Sequence, residues 1–137
     1  MKVNLLQIGD WVKISHLNKI GKVYRIDRAN GEGNGYAAVI DGDYHEWNLE
    51  PIPLTPEILE KNGFVKNHGV TSWKFETDRE DLIDIYGFND YHLSINIKDT
   101  HGSGKGFRWM LNNLTIFYVH QLQHVLRICG IEKEIIL

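Results

Sequence analysis

Leu49-Glu-Pro-Ile-Pro-Leu-Thr-Pro-Glu-Ile-Leu-Glu-Lys-Asn-Gly-Phe64 divides the chain into two parts. Pro51, Pro53 and Pro56 lack the N–H that a β-ladder requires, so strands end here. Thr55 is placed to cap a helix, with Pro56 at the first helical position and Glu57 favourable in the first turn. The helix is expected over about 56–62, through Ile58, Leu59 and Lys61. Asn62-Gly63 ends it, because Gly tolerates the left-handed cap. Two lobes follow from this punctuation: residues 1–53 and residues 54–137.

Outward to the N-terminal side, the signals are strand and turn. Gly9-Asp10 precedes Trp11 to Ile14, and Asn18 to Gly21 turns into Lys22 to Asp27. Asn30 to Gly35 is a glycine-rich loop. Tyr36 to Ile40 leads to the Asp41-Gly42 hairpin signal and on to Tyr44 to Leu49. Short strands joined by tight turns predict a small SH3-like β-barrel. The order GDWVKI, GKVYRID, AAVIDG, YHEWNLEPI resembles SH3-like barrels of the KOW or Tudor kind over residues 5–53.

On the C-terminal side, Val70 to Glu76 and Leu82 to Tyr86 read as strands. Leu93, Ile95 and Ile97 alternate with Ser94, Asn96 and Lys98, the pattern of a half-buried strand starting at Tyr91. Phe107 to Met110 and Leu114 to Phe117 complete the β region. Val119, Leu122, Val125, Leu126 and Cys129 form one apolar stripe of a helix over about 118–129, closed by Gly130. The tail Glu132 to Leu137 is apolar enough to return as a strand or to pack on the core. The fold class is therefore α+β: a barrel lobe, then an α-β-β-β-β-α lobe with an antiparallel sheet.

The chain has 137 residues, 42% of them hydrophobic, which is enough to bury a core. Its 15 basic and 18 acidic residues leave a net charge of -3, which argues against general attraction to nucleic acid or to an anionic membrane. A single cysteine, Cys129, has no intramolecular disulfide partner and suits a reducing compartment. The start MKVNLLQIGDW holds no long apolar run, so a cytoplasmic protein without a secretory signal is expected.

His120-Gln-Leu-Gln-His124 is the loudest chemical motif. Two histidines at i and i+4 on a helix can share a zinc ion, as in HExxH proteases. Here Gln121 stands where the general base would be, and an amide cannot take that role. Helical spacing puts His120, His124 and Arg127 opposite the apolar stripe, as a contact surface. His101-Gly-Ser-Gly-Lys-Gly-Phe-Arg-Trp109 places Lys105, Arg108 and Trp109 together, a composition suited to phosphate and a flat ring; as a fold element it is a hairpin loop. Trp11, Tyr24, Tyr36, Tyr44 and Trp47 enrich the first lobe in aromatics, of which Tyr44 and Trp47 are candidates for surface binding. Asn30 to Gly35 lacks the spacing of a dinucleotide fingerprint. The acidic run Asp78 to Asp84 lacks calcium-loop spacing and reads as a solvated turn. Cys129, on the apolar stripe, is expected to be buried. No motif calls for a cofactor or a resident metal, and none is complete enough for catalysis.

LEPIPLTPEILEKNGF (49–64) and FYVHQLQHVLRICGIEKEIIL (117–137), taken as a pair, resemble a set of uncharacterised small proteins encoded by phages and mobile elements of gut bacteria. Relatives in that set carry Glu at the position of Gln121 and a residue other than His at that of His124, which implies a structural helix. The resemblance implies a setting, a small accessory protein of a mobile element, and no activity or cofactor. The leading expectation is a non-enzymatic binding protein of phage or mobile-element origin, with a role in counter-defence. It would sequester a nucleotide-type host signal or block a host protein, alone or as a homo-oligomer. Two alternatives stand beside it: nucleic-acid binding through Lys13, Lys19, Lys22, Arg25 and Arg28, and a metal-dependent enzyme using His120 and His124.

Overall fold

The structure, a computed structural model, describes residues 1–28, 36–42, 44–46, 48–67, 72–88, 93–99 and 108–137. It is a mixed α+β fold with two five-stranded antiparallel sheets and two α-helices among the described residues. The chain divides into two compact units. One is Met1–Pro53 with Tyr118–His124; the other is Leu54–Phe117 with Val125–Leu137. The closing helix is thus shared, whereas the spacing assigned it wholly to the second lobe.

In the first unit a 3-10 turn, Val3–Leu5, leads to β1 (Trp11–Ile14) and a second 3-10 turn, Ser15–Leu17. Then come β2 (Lys19–Arg28), β3 (Tyr36–Ile40), β4 (Tyr44–Glu46) and β5 (Leu49–Pro51). In β1, Val12 and Ile14 point inward and have no exposed surface, while Trp11 and Lys13 are half-buried, which is the period of two. Asn18 adopts the left-handed conformation that turns the chain into β2. Asp41 and Gly42 both have positive φ, 52° and 83°, so the expected hairpin turn forms between β3 and β4. Val3, Leu6, Val12, Ile14, Val23, Ala38, Ile40 and Leu49 make the core of this unit. The sheet order is β4-β3-β2-β1-β5. The expected barrel is not closed: β4 and β5 are the outer strands of an open sheet, with no ladder between them among the described residues.

The second unit opens with α1 (Pro56–Lys61), where Thr55 Oγ1 accepts the Ile58 N–H at 3.3 Å. Its sheet runs β10-β9-β8-β7-β6: β6 (Val65–Asn67), β7 (Ser72–Glu76), β8 (Asp81–Tyr86), β9 (Ser94–Asp99) and β10 (Arg108–Thr115). Ile83 lies opposite Ile97, and Ile85 opposite Ile95, and all four are fully buried. This central pairing is the half-buried alternation expected around Ile95; Tyr91 and His92 lie outside the described residues. The sheet has five strands rather than four, because Val65–Asn67 adds an edge. The two runs around Met110 and Leu114 are one strand, with register shifts on either side of Leu111. The helix α2 (Val119–Ile128) ends at Gly130, which has φ 68°. The tail forms no strand; Ile131 and Ile135 are buried. Asn62 holds it by donating to the Ile136 carbonyl at 2.8 Å and accepting the Ile136 N–H at 2.7 Å. No helix among the described residues is long and apolar enough to cross a membrane.

Candidate functional site

Within the first unit, the segment Tyr118–His124 meets the turn that precedes β1. That turn is stitched to β2: the Gly9 N–H donates to the Val23 carbonyl at 2.7 Å, and the Val23 N–H donates to the Asp10 carbonyl at 2.9 Å. Asp10 has no exposed surface. Its Oδ2 accepts the Gln7 N–H at 2.7 Å and lies 2.7 Å from His124 Nε2. The His124 side chain is one-fifth exposed (20%). Beside it, Gln123 clamps the backbone on both sides of Asp10. Its Oε1 accepts the Trp11 N–H at 3.0 Å and its Nε2 donates to the Gly9 carbonyl at 2.9 Å. Partly buried backbone donors and acceptors gain from such partners, so the clamp helps to hold the turn.

The rest of the HQLQH motif has equally local tasks. Gln121 Oε1 accepts the Tyr118 N–H at 3.1 Å, so the residue in the position of a general base caps its own helix. Leu122 is fully buried. The His120 ring stacks on Tyr118, with centroids 5.8 Å apart and planes within 8°, and meets the His124 ring edge-on at 5.7 Å. Burial lowers the His120 pKa. The Asp10 carboxylate pulls it up and the neighbouring His124 pushes it down, and burial is the largest of the three. The imidazole is therefore held neutral near pH 7, with a buried Nδ1 that has no hydrogen-bond partner. Among the described residues, no group of three or more His, Cys, Asp or Glu side chains is placed to hold a metal ion.

The residues expected to form one ligand surface are distributed differently. His120 and His124 come together, with Asp10 as a partner that helical spacing did not reveal. They face inward more than the spacing predicts, and Gln123 between them is buried. Trp109 is 41% exposed on β10, with the Lys98 ammonium 4.7 Å from its ring centroid. Arg127 is exposed in the last turn of α2. Trp109 and Arg127 belong to the second unit, and His120 and His124 to the first. Lys105 and Trp47 lie outside the described residues, as do the side chains of Tyr44 and Arg108. Of the basic residues considered for nucleic acid, Lys13 pairs with Glu50 at 3.4 Å, Arg25 with Asp27 at 2.9 Å, and Lys22 sits 4.9 Å from the Trp11 ring centroid.

The second unit holds a cavity of about 540 Å³ that the sequence did not announce. It is lined by Phe75, Thr77, Asp78, Arg79 and the segment Ile131 to Glu134. The Lys133 ammonium lies 4.0 Å from the Phe75 ring centroid, and burial lowers its pKa. Arg79 donates to the Gly130 carbonyl and lies 3.7 Å from Asp81. The acidic run is thus a structured hairpin turn: the Asp81 N–H donates to Thr77 Oγ1 at 3.0 Å, and Asp81 itself is buried. Cys129 is half-buried; burial, and to a lesser degree Asp81, raises its pKa, which keeps it a thiol.

On the outer strand of the second sheet, Trp109, Leu114 and, just beyond the strand, Phe117 are 41%, 42% and 45% exposed. The stretch from Arg108 to Phe117 carries one charged residue, Arg108. Compared with known proteins, the chain matches no family model, no curated protein and no solved structure.

Proposed function

We propose that the chain is a non-enzymatic binding protein that covers a partner protein through the outer strand β10 of its second sheet. The observation that carries this reading is three exposed large apolar side chains, Trp109 and Leu114 on the outer strand β10 and Phe117 just beyond it. Apolar side chains scattered singly over a surface need no explanation; three within nine residues of one outer strand and its end favour an interaction face. Aromatic residues are enriched at the centres of such faces. The use of Gln121, Gln123 and His124 in holding the fold supports the non-enzymatic side of the reading. The strand order β5-β1-β2-β3-β4 is that of small SH3-like folds, and it supports reading the first unit as an opened member of that class. In the phage or mobile-element setting that the sequence resemblance implies, the partner is a host protein.

The test compares the wild-type protein with a Trp109→Glu/Leu114→Glu variant as bait in host-cell extract, with native mass spectrometry of each eluate. A protein retained by the wild type and lost by an equally stable variant supports the reading. Retention of a nucleotide with no protein, unaffected by the two substitutions, replaces it with sequestration of a small signal.

A further inference from the structure

A second cavity, of about 700 Å³, opens beside α1 in the second unit. Its lining includes Glu57 and Glu60 of α1, Phe64, Val65 and Lys66 of the following segment, and Trp73 of β7. Among the described residues β6 is the other outer strand of the sheet, with β7 as its ladder partner. Its pairing is regular, Val65 to Lys74, Lys66 to Trp73 and Asn67 to Ser72, and Val65 is 68% exposed. β10, by contrast, is interrupted by register shifts that disfavour continuous pairing with a further strand. An edge without bulges offers its backbone donors and acceptors to an incoming extended segment.

The groove beside that edge has a sign. Glu57 and Glu60 stand three residues apart on α1, hence on one face, and both are exposed. The lining carries one cation, Lys66, against these two carboxylates. Trp73 is half-buried, and indole is the aromatic ring that cations favour most. An anionic ligand, nucleic acid or phosphate, meets the wrong charge here.

We propose that this groove receives an extended basic segment of a partner protein, added as a strand on β6. An arginine or lysine side chain lies over Trp73 and pairs with Glu57 and Glu60. This is a second site, independent of the β10 surface.

The experiment titrates the full chain with a short, terminally blocked peptide alternating arginine and valine, and with its glutamate–valine counterpart. The arginine peptide is expected to bind and to protect the Val65–Asn67 amides from hydrogen exchange. Glu57→Gln/Glu60→Gln weakens it at least about tenfold, since the charge pairing is lost. Trp73→Leu weakens it likewise, whereas Trp109→Glu/Leu114→Glu binds as the wild type does. Equal affinity for the two peptides, binding of neither, or undiminished binding by Glu57→Gln/Glu60→Gln overturns the proposal. Should Trp73→Leu unfold, the carboxamide variant decides alone, because both glutamates are exposed and leave the fold intact.

Discussion

Replacing His124 by alanine leaves Asp10, a carboxylate with no exposed surface, without its imidazole partner. Asp10 keeps the Gln7 N–H, so what is lost is one hydrogen bond to a buried carboxylate, roughly 1–3 kcal/mol, read as a lower urea midpoint. A solvated histidine would cost almost nothing when truncated, and an unchanged midpoint would mean that the contact carries no weight. His120 adds a pH dependence. Burial holds its pKa below the ordinary 6.5, so the unfolded chain takes up that proton first as pH falls. The stability tied to neutral His120 is complete above about pH 6.5, declines as pH falls through that value, and levels off once the folded form is also protonated. His120→Gln should therefore flatten the profile of urea midpoint against pH below about 6.5; parallel profiles for the two proteins would contradict this. At this scale, helical spacing showed that His120 and His124 share a face, but not that Asp10 waits opposite. A partner 114 residues away leaves no mark on local pattern.

Elements were legible where their ends are chemically punctuated. Thr55, Pro56 and Asn62-Gly63 delimit α1, and Asp41-Gly42 marks the β3–β4 hairpin, because caps and positive-φ turns depend on a few residues in sequence. β6 went unseen for the opposite reason: Val65 and Lys66 are both exposed, so no alternation exists to read. β10 read as two runs because Asn112-Asn113 interrupts its apolar pattern. In the structure Asn113 takes φ 56°, its N–H donates to Asn96 Oδ1 at 2.5 Å, and its own Oδ1 accepts the Tyr86 hydroxyl at 2.6 Å. Those side-chain bonds carry one strand through the irregularity. The tail is held in a comparable way by Asn62. Asn62→Ala should release it, seen as faster hydrogen exchange at Ile136 and a loss of about 1–3 kcal/mol. Retained protection at Ile136 would show that burial of Ile135 suffices. Gly21 marks a close approach: a Cβ there would meet Ile40 Cγ2 at 2.3 Å and Asp41 Oδ2 at 2.6 Å. Gly21→Ala should cost about 1–3 kcal/mol in thermal or urea unfolding through overpacking under β3.

At the scale of the whole molecule, the α+β class was readable from two kinds of periodicity, but closure of the first sheet was not. Strand spacing is the same for a barrel and for an open sheet; what differs is whether the outer strands find one another. The assignment of Tyr118–His124 to the first unit was equally hidden, because the apolar stripe of α2 runs the length of the helix without a break. That assignment has a measurable result. A fragment ending at Pro53 keeps all five strands of its sheet but loses Gln123 and His124, so it should show weak near-ultraviolet dichroism and no cooperative unfolding. Adding the full chain's remaining residues restores both; a fragment that melted cooperatively on its own would show that the clamp is dispensable.

The shared helix also orders events in time. Residues 1–53 are made before residues 54–117, yet the segment that completes their unit, Tyr118–His124, is made only after them. Throughout that interval Asp10 has no histidine, and the Gly9 carbonyl and Trp11 N–H have no glutamine. The second unit waits longer still, for Val125–Leu137, so neither unit is complete before the closing segment is made.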